Sequence, residues 1–445
     1  MQATRGLYRF SIFIAVMTYI LIVVGGVVHN TDSGMACPDW PLCFGEVFPE
    51  MKGGILFEHG HRYLATLVGI GVLFITWRLW RAHGSDPTVA RAKERLLWSM
   101  LGLTALVAVL ITPIGQGNNH WNERAGGWPG LISLAEHHVG GNPAAPAARP
   151  LNAAGKHELD WAFWLTLALV IGIYVQTFRA LLWKPRDRSA GTGDQTLAFK
   201  GIGLLMLIIV QGLLGGYTVA YSLPSIISTA HLATSMLVLL TLIYLAWALR
   251  REVLAREGRP VADWPAEAAG KVAGLLTFTT VAVFGQIVLG ALVRHTQASW
   301  IAGIGWANSM LGQDPLTGKL ALWPGMAPAQ LNVVHRYIAV LVLVLIAYAA
   351  YRAWGALADH VGDRMGLVML IWLPVQVVGL QLIVGVMMLG MRMEIGMRTA
   401  HLAVGTLVLV TQFLLTLDVC GARRHAVAAL PAGDSAHNGT MAHPA

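Results

Sequence analysis

The chain has 445 residues, of which 56% are hydrophobic and only 12% charged, with a formal net charge of +8. Composition this apolar excludes an ordinary soluble globule, and several runs reach the roughly 20 residues needed to cross a bilayer. The basic excess does not mark a nucleic-acid partner, because Lys and Arg gather between the apolar runs, as orientation in a membrane requires.

In chain order, the first run, 7–28, lacks a small-residue cleavage site and reads as a retained helix rather than a signal peptide. A loop dense in turn formers follows, carrying Cys37, Trp40 and Cys43. Further spans are expected at 62–80, 96–114, 160–183, 199–220, 230–250, 272–293, 333–353, 367–389 and 400–418. That makes about ten in all. Placing the N-terminus in the cytoplasm puts Arg78/Arg81/Arg91/Lys93/Arg95, Arg179/Lys184/Arg186/Arg188 and Arg250/Arg251/Arg256/Arg259 inside. About two-thirds of the Lys and Arg are then cytoplasmic, and both termini with them. The absence of an Arg/Ser-rich leader favours a bacterial cytoplasmic membrane over a mitochondrial inner membrane. The Gly/Pro/Ala/Asn-rich segment 115–159, with His120, His137 and His138, reads as a solvated outer loop, since its histidine spacing fits no common metal set. The tail 421–445 reads as disordered.

Four apolar segments each open on one histidine: Glu58-His59-Gly60-His61-Arg62, Thr229-Ala230-His231-Leu232-Ala233, Asn332-Val333-Val334-His335-Arg336 and Thr399-Ala400-His401-Leu402-Ala403. In the expected topology all four enter from the outer side, so His61, His231, His335 and His401 lie at one depth. They form two matched pairs. Gly25-Gly26-Val27-Val28-His29-Asn30-Thr31 also resembles Gly290-Ala291-Leu292-Val293-Arg294-His295-Thr296, and Gln211–Gly215 resembles Gln381–Gly385. The expected fold is therefore an all-α polytopic membrane protein of two tandem four-helix bundles, with two inserted helices in the first. The halves are 1–250, containing the insertion at about 84–197, and 251–420.

Two neutral imidazoles from facing helices can clamp an iron porphyrin, and small residues such as Gly215, Gly216, Gly285 and Gly290 would let the macrocycle approach the backbone. Zinc suits the histidines less well, because tetrahedral sites usually draw ligands from close spacing. Arg62 and Arg336 are candidate propionate partners, and snorkelling to lipid headgroups explains them equally well. Cys37 and Cys43 suit an outer-face disulfide better than a zinc cluster with His59 and His61; Cys420 is left over. The halves differ at one position, Glu58 beside His61 against Asn332 beside His335. A carboxylate can exchange a proton or stabilise developing positive charge, whereas an amide cannot relay a proton in this way. One reactive haem and one electron-transferring haem would follow. A structural Glu58–Arg62 ion pair is the competing reading of that carboxylate.

Together, Glu58-x-x-His61-Arg62, Cys37-Pro-Asp-Trp-Pro-Leu-Cys43, Gly290–Thr296 and the paired Thr-Ala-His-Leu-Ala resemble the heme A synthase family over about 1–80 and 199–418. The resemblance implies oxidation of a methyl group of heme O to the formyl group of heme A, by successive hydroxylations, for haem-copper oxidases. It implies heme O as substrate between His61 and His231, Glu58 as catalytic residue, and a permanent haem b between His335 and His401. Its implied partners are an electron acceptor, a heme O synthase, oxidase assembly proteins and the lipid bilayer. The inserted helix pair departs from eight-helix members. A non-enzymatic di-haem b electron-transfer protein or an oxidase assembly factor explains the four histidines equally well, but gives Glu58 and the cysteine loop no task.

Overall fold

The computed structural model describes residues 2–37, 39–82, 90–102, 168, 171–182, 196–220, 223–259, 264–296, 298–302, 311–360 and 364–429. Among them, eight helices are long and apolar enough to cross a membrane. They are α1 (Gln2–Asn30), α2 (Gly54–Ala82), α3 (Thr196–Ala220), α4 (Ser225–Arg256), α5 (Ala266–His295), α6 (Ala327–Leu357), α7 (Arg364–Gly390) and α8 (Ile395–Ala429). The protein is an all-α polytopic membrane protein. Outward faces carry large apolar side chains such as Phe13, Leu67, Leu73, Leu341 and Ile383, as a lipid-facing surface requires. Buried hydroxyls return to their own helix: Thr18, Thr280 and Thr406 donate to carbonyls four residues back.

Packing follows sequence order. In the first four helices α1 packs on α2, α2 on α3, α3 on α4, and α4 closes onto α1; α5 to α8 form the same ring. The rings meet through α1, α4, α5 and α8. Close approach at that seam depends on small residues. A Cβ at Gly26 of α1 would stand 2.6 Å from Leu402 Cδ2 of α8. Polar groups stitch it further: Arg294 donates to the His29 carbonyl at 3.1 Å, Arg398 to the Asn30 carbonyl at 3.1 Å, and Asn30 to Thr399 Oγ1 at 3.1 Å. Two cations at the carboxyl end of α1 also answer its helix dipole.

The expected spans recur with longer ends, and one extension alters the site. α2 starts at Gly54, not near residue 62, so Glu58 and His61 stand inside the helix rather than on its first turn. The polar stretch 58–62 resembles a loop in sequence but is helical because its side chains find partners. His59 Nε2 meets the Val47 carbonyl at 2.9 Å, and Arg62 binds loop carbonyls. His231, His335 and His401 likewise lie about two turns into α4, α6 and α8. Of the expected inserted helices, 90–102 and Ile171–Leu182 are helical and pack outside α3, through Met100 against Ile202 and Met206, and Ile173 against Val210. Their remainders, with His120, His137 and His138, lie outside the described residues. α8 runs to Ala429, past the expected start of the tail at 421; residues 430–445 lie outside the described residues.

Candidate functional site

A cavity of about 750 Å³ extends through both rings and is lined by His61, His231, His335 and His401. All four expected histidines line this one cavity, His61 and His231 from the first ring and His335 and His401 from the second. Each imidazole lies edge-on to a glycine of the preceding helix. An added Cβ would stand 3.0 Å from His61 Cε1 at Gly25, 3.1 Å from His231 Cε1 at Gly215, 2.8 Å from His335 Cε1 at Gly290 and 3.1 Å from His401 Cε1 at Gly385. A side chain at any of these four would displace a ring. Gly216 serves a different purpose, since Trp40 covers it with ring atoms 3.0 Å from an added Cβ; Gly285 faces open space.

Loops before α2 and α6 are held by matching tethers, and the first of them lines the cavity through Trp40 and Pro41. In the first half Arg62 Nη1 donates to the carbonyls of Asp39, at 2.6 Å, and Leu42, while Tyr63 Oη donates to Val47 O at 2.6 Å. In the second, Arg336 Nη1 donates to Leu311 O at 3.2 Å and Tyr337 Oη to Leu322 O at 2.9 Å. His-Arg-Tyr is therefore one repeated device, in which the arginine and tyrosine hold the preceding loop. Both candidate propionate partners are engaged with loop backbone in this arrangement.

Glu58 is buried and lines the cavity. Its Oε1 accepts from Arg62 Nε at 3.0 Å and pairs with Nη2 at 2.9 Å. The expected competing ion pair thus exists, and it fixes the carboxylate at the cavity wall beside His61. Asn332, in the corresponding place, is also buried but turns to Ala298 O at 3.0 Å.

Cys37 and Cys43 form a disulfide, with both residues fully buried. His59 Nδ1 or Nε2 lies within 4.8 Å of both sulfurs, which are bonded to each other, so the expected zinc alternative gives way to the disulfide. Inside the clip, Asp39 accepts the Phe44 N–H at 2.6 Å and the Gly45 N–H at 2.9 Å. Those bonds, Gly45's first, hold the exposed Asp39 carboxyl below its ordinary range.

Sequence reasoning missed two sets of contacts here. Gln211, Gln286 and Gln381 contact the slot histidines, and their signal was present as a recurring Gln-x-x-x-Gly. At the seam, His29 and His295, each in one of the two matched motifs, meet with ring centroids 4.4 Å apart, a contact the motifs themselves did not announce. The site residues fit a porphyrin iron: paired imidazoles, glycines that clear each ring, and buried unpartnered nitrogens on His61 and His231.

Among the described residues, eight long apolar helices around one histidine-lined cavity mark a polytopic membrane protein. The chain belongs to the COX15-CtaA family, described as cytochrome oxidase assembly protein, whose profile matches residues 8–56 and 154–413. It is similar to proteins named heme A synthase. That of Rhodopseudomonas palustris strain BisB5 is 24% identical over 427 residues, covering 89% of this chain and 86% of the relative. Those of Exiguobacterium sibiricum and Lysinibacillus sphaericus are 34% identical over 122 residues and 33% over 203. These two matches cover 27% and 42% of this chain, but only 38% and 61% of the relatives' own lengths.

Proposed function

We propose that this protein is a heme A synthase, oxidising a methyl group of heme O to a formyl group by successive hydroxylations. The carrying observation is the asymmetry between otherwise matching slots: Glu58 and Asn332 both line the cavity three residues before a histidine, but the first offers a carboxylate held by Arg62 and the second an amide that donates to the Ala298 carbonyl. In this reading heme O binds between His61 and His231 in the half 1–250. Glu58 faces the substrate edge, where it accepts a proton or offsets positive charge developing at the methyl carbon. Arg62 holds that carboxylate in place, and the clipped loop, with Trp40 over Gly216, keeps water from the reacting edge.

His335 and His401, in the half 251–420, hold a permanent haem b. Bound there, a bis-imidazole haem supplies a saturated, low-spin centre for electron transfer. Gly290 and Gly385 make room for both rings. The protein would lie in a bacterial cytoplasmic membrane with both termini inside, receive heme O from its synthase, pass electrons to an acceptor and deliver heme A toward oxidase assembly.

Co-expression with a heme O source, followed by haem extraction and chromatography, tests this. Heme A should appear with the wild-type chain and not with an empty vector. Two bound haems with heme O left unconverted would replace the enzyme by a di-haem electron carrier.

A further inference from the structure

Four glycines face the four slot histidines, and the residue one helical turn before each glycine lines the same cavity. At three of these places it is glutamine: Gln211 before Gly215, Gln286 before Gly290 and Gln381 before Gly385. At the fourth, before Gly25, it is Leu21. The contacts grade accordingly. Gln286 Nε2 lies 3.0 Å from His335 Nδ1 and donates to the His335 carbonyl at 2.8 Å. Gln381 Nε2 lies 3.2 Å from both Nδ1 and Nε2 of His401 and donates to the His401 carbonyl at 3.0 Å. Gln211 reaches only the ring, 3.2 Å from His231 Nε2, and His231 Nδ1 is buried without a partner. His61 Nδ1 is also buried without a partner, and Leu21 has nothing to offer it.

An imidazole that ligates iron needs an acceptor for its other N–H, and that partner fixes the ring's orientation and raises its basicity. Each glutamine carries such an acceptor. Oε1 of Gln211, Gln286 and Gln381 is buried with no partner, and a half-turn of the carboxamide exchanges it with Nε2. Turned that way, the carboxamide serves the ring N–H in place of the backbone carbonyl; both second-slot histidines have a glutamine at Nδ1, while in the first slot Gln211 reaches only Nε2 of His231 and His61 has no glutamine.

We propose that this glutamine set grades how firmly each slot holds its porphyrin: Gln286 and Gln381 are positioning residues that lock the second slot, and Leu21 keeps the His61 bond labile so that a porphyrin can enter and leave. The proposal rests on the functional reading above, since a substrate slot must exchange its haem and a cofactor slot must not. It goes beyond that reading by naming what sets the difference.

The test uses the full-length, haem-loaded protein in detergent, with haem transfer to excess apomyoglobin as readout and low-spin electron paramagnetic resonance as the ligation signature. Variants His61→Ala and His335→Ala first assign each signal to its slot. Leu21→Gln should slow transfer from the first slot by about 10- to 100-fold, the range for outer partners of metal-bound histidines, and shift that slot's g-values. Gln286→Leu should speed loss from the second slot by a similar factor. Correct slot assignments with transfer rates and g-values unmoved by Leu21→Gln would overturn this proposal alone. A first slot that loses haem more slowly than the second in the wild type would overturn the functional reading too. Should Gln286→Leu fail to assemble, Leu21→Gln, which removes no contact to a histidine, decides the matter by itself.

Discussion

In the first half the residue three before the slot histidine is a carboxylate held by an arginine that also grips a disulfide-clipped loop. In the second it is an amide that holds Ala298, while the arginine grips Leu311 in a loop without cysteines. The shared parts, which are the glycine-faced imidazoles and the Arg-Tyr loop tethers, are those needed to seat a flat macrocycle between helices. What differs is charge, cross-linking and the number of anchored histidines. On the proposed reading, a repeated bundle keeps its seat while one copy acquires reactivity, because Glu58 and its loop stand at the cavity wall and not in the packing between helices.

The sharpest break of that comparison removes a ligand from the second half. His335→Ala or His401→Ala should abolish the low-spin haem b spectrum altogether, since one imidazole cannot saturate the iron. Retention of a bis-histidine spectrum by both variants would remove the assignment. Next in size, Glu58→Gln should leave haem content intact and lower heme A formation by at least about a hundredfold, typical of a lost acid-base group. Near-wild-type production would leave Glu58 as a structural partner of Arg62. Its counterpart, Asn332→Ala, should destabilise the second half by about 1–3 kcal/mol, because the buried Ala298 carbonyl loses its donor, without stopping conversion in the first. Chemical denaturation monitored by haem absorbance would check this.

Opening the clip should matter less. The Cys37→Ser and Cys43→Ser pair closes no loop, but the lost loop is short, so the destabilisation should be at most about 2–3 kcal/mol. The smallest effect expected is that of pH on Asp39. Its carboxyl is held low in the fold, so its contribution is fully present above the ordinary value of about 3.9 and is lost as pH falls through the lower folded value. Trp40 fluorescence should be flat from about pH 8 to 5 and change only below about pH 4, with Asp39→Asn removing that acid transition.

Much of this arrangement was legible in the residues. Long apolar runs mark spans whatever their neighbours, and the four histidines stood out because an imidazole at a membrane helix end needs a reason. Helix starts were not legible: the stretch from Glu58 to Arg62 looks like a loop until Val47, Asp39 and Leu42 supply its partners from elsewhere. The role of Gln286 was hidden for a related reason. A glutamine in an apolar helix reads as an isolated polar residue, and only the fold shows His335 opposite it. The tilted contact between His29 and His295 depends on how two rings of helices meet, which no local pattern encodes.

Arg62 makes a final point about substitution. Its guanidinium meets Glu58 through Nε and Nη2 while Nη1 reaches Asp39 and Leu42, so one rigid plane presents donors in diverging directions. Lysine has the same charge, but its donors radiate from one nitrogen on a flexible stem and cannot span both sets of oxygens. Lysine at 62 would thus preserve the local electrostatic balance while uncoupling the lid from the carboxylate. At this position shape, rather than charge, is the quantity a tolerated replacement has to preserve.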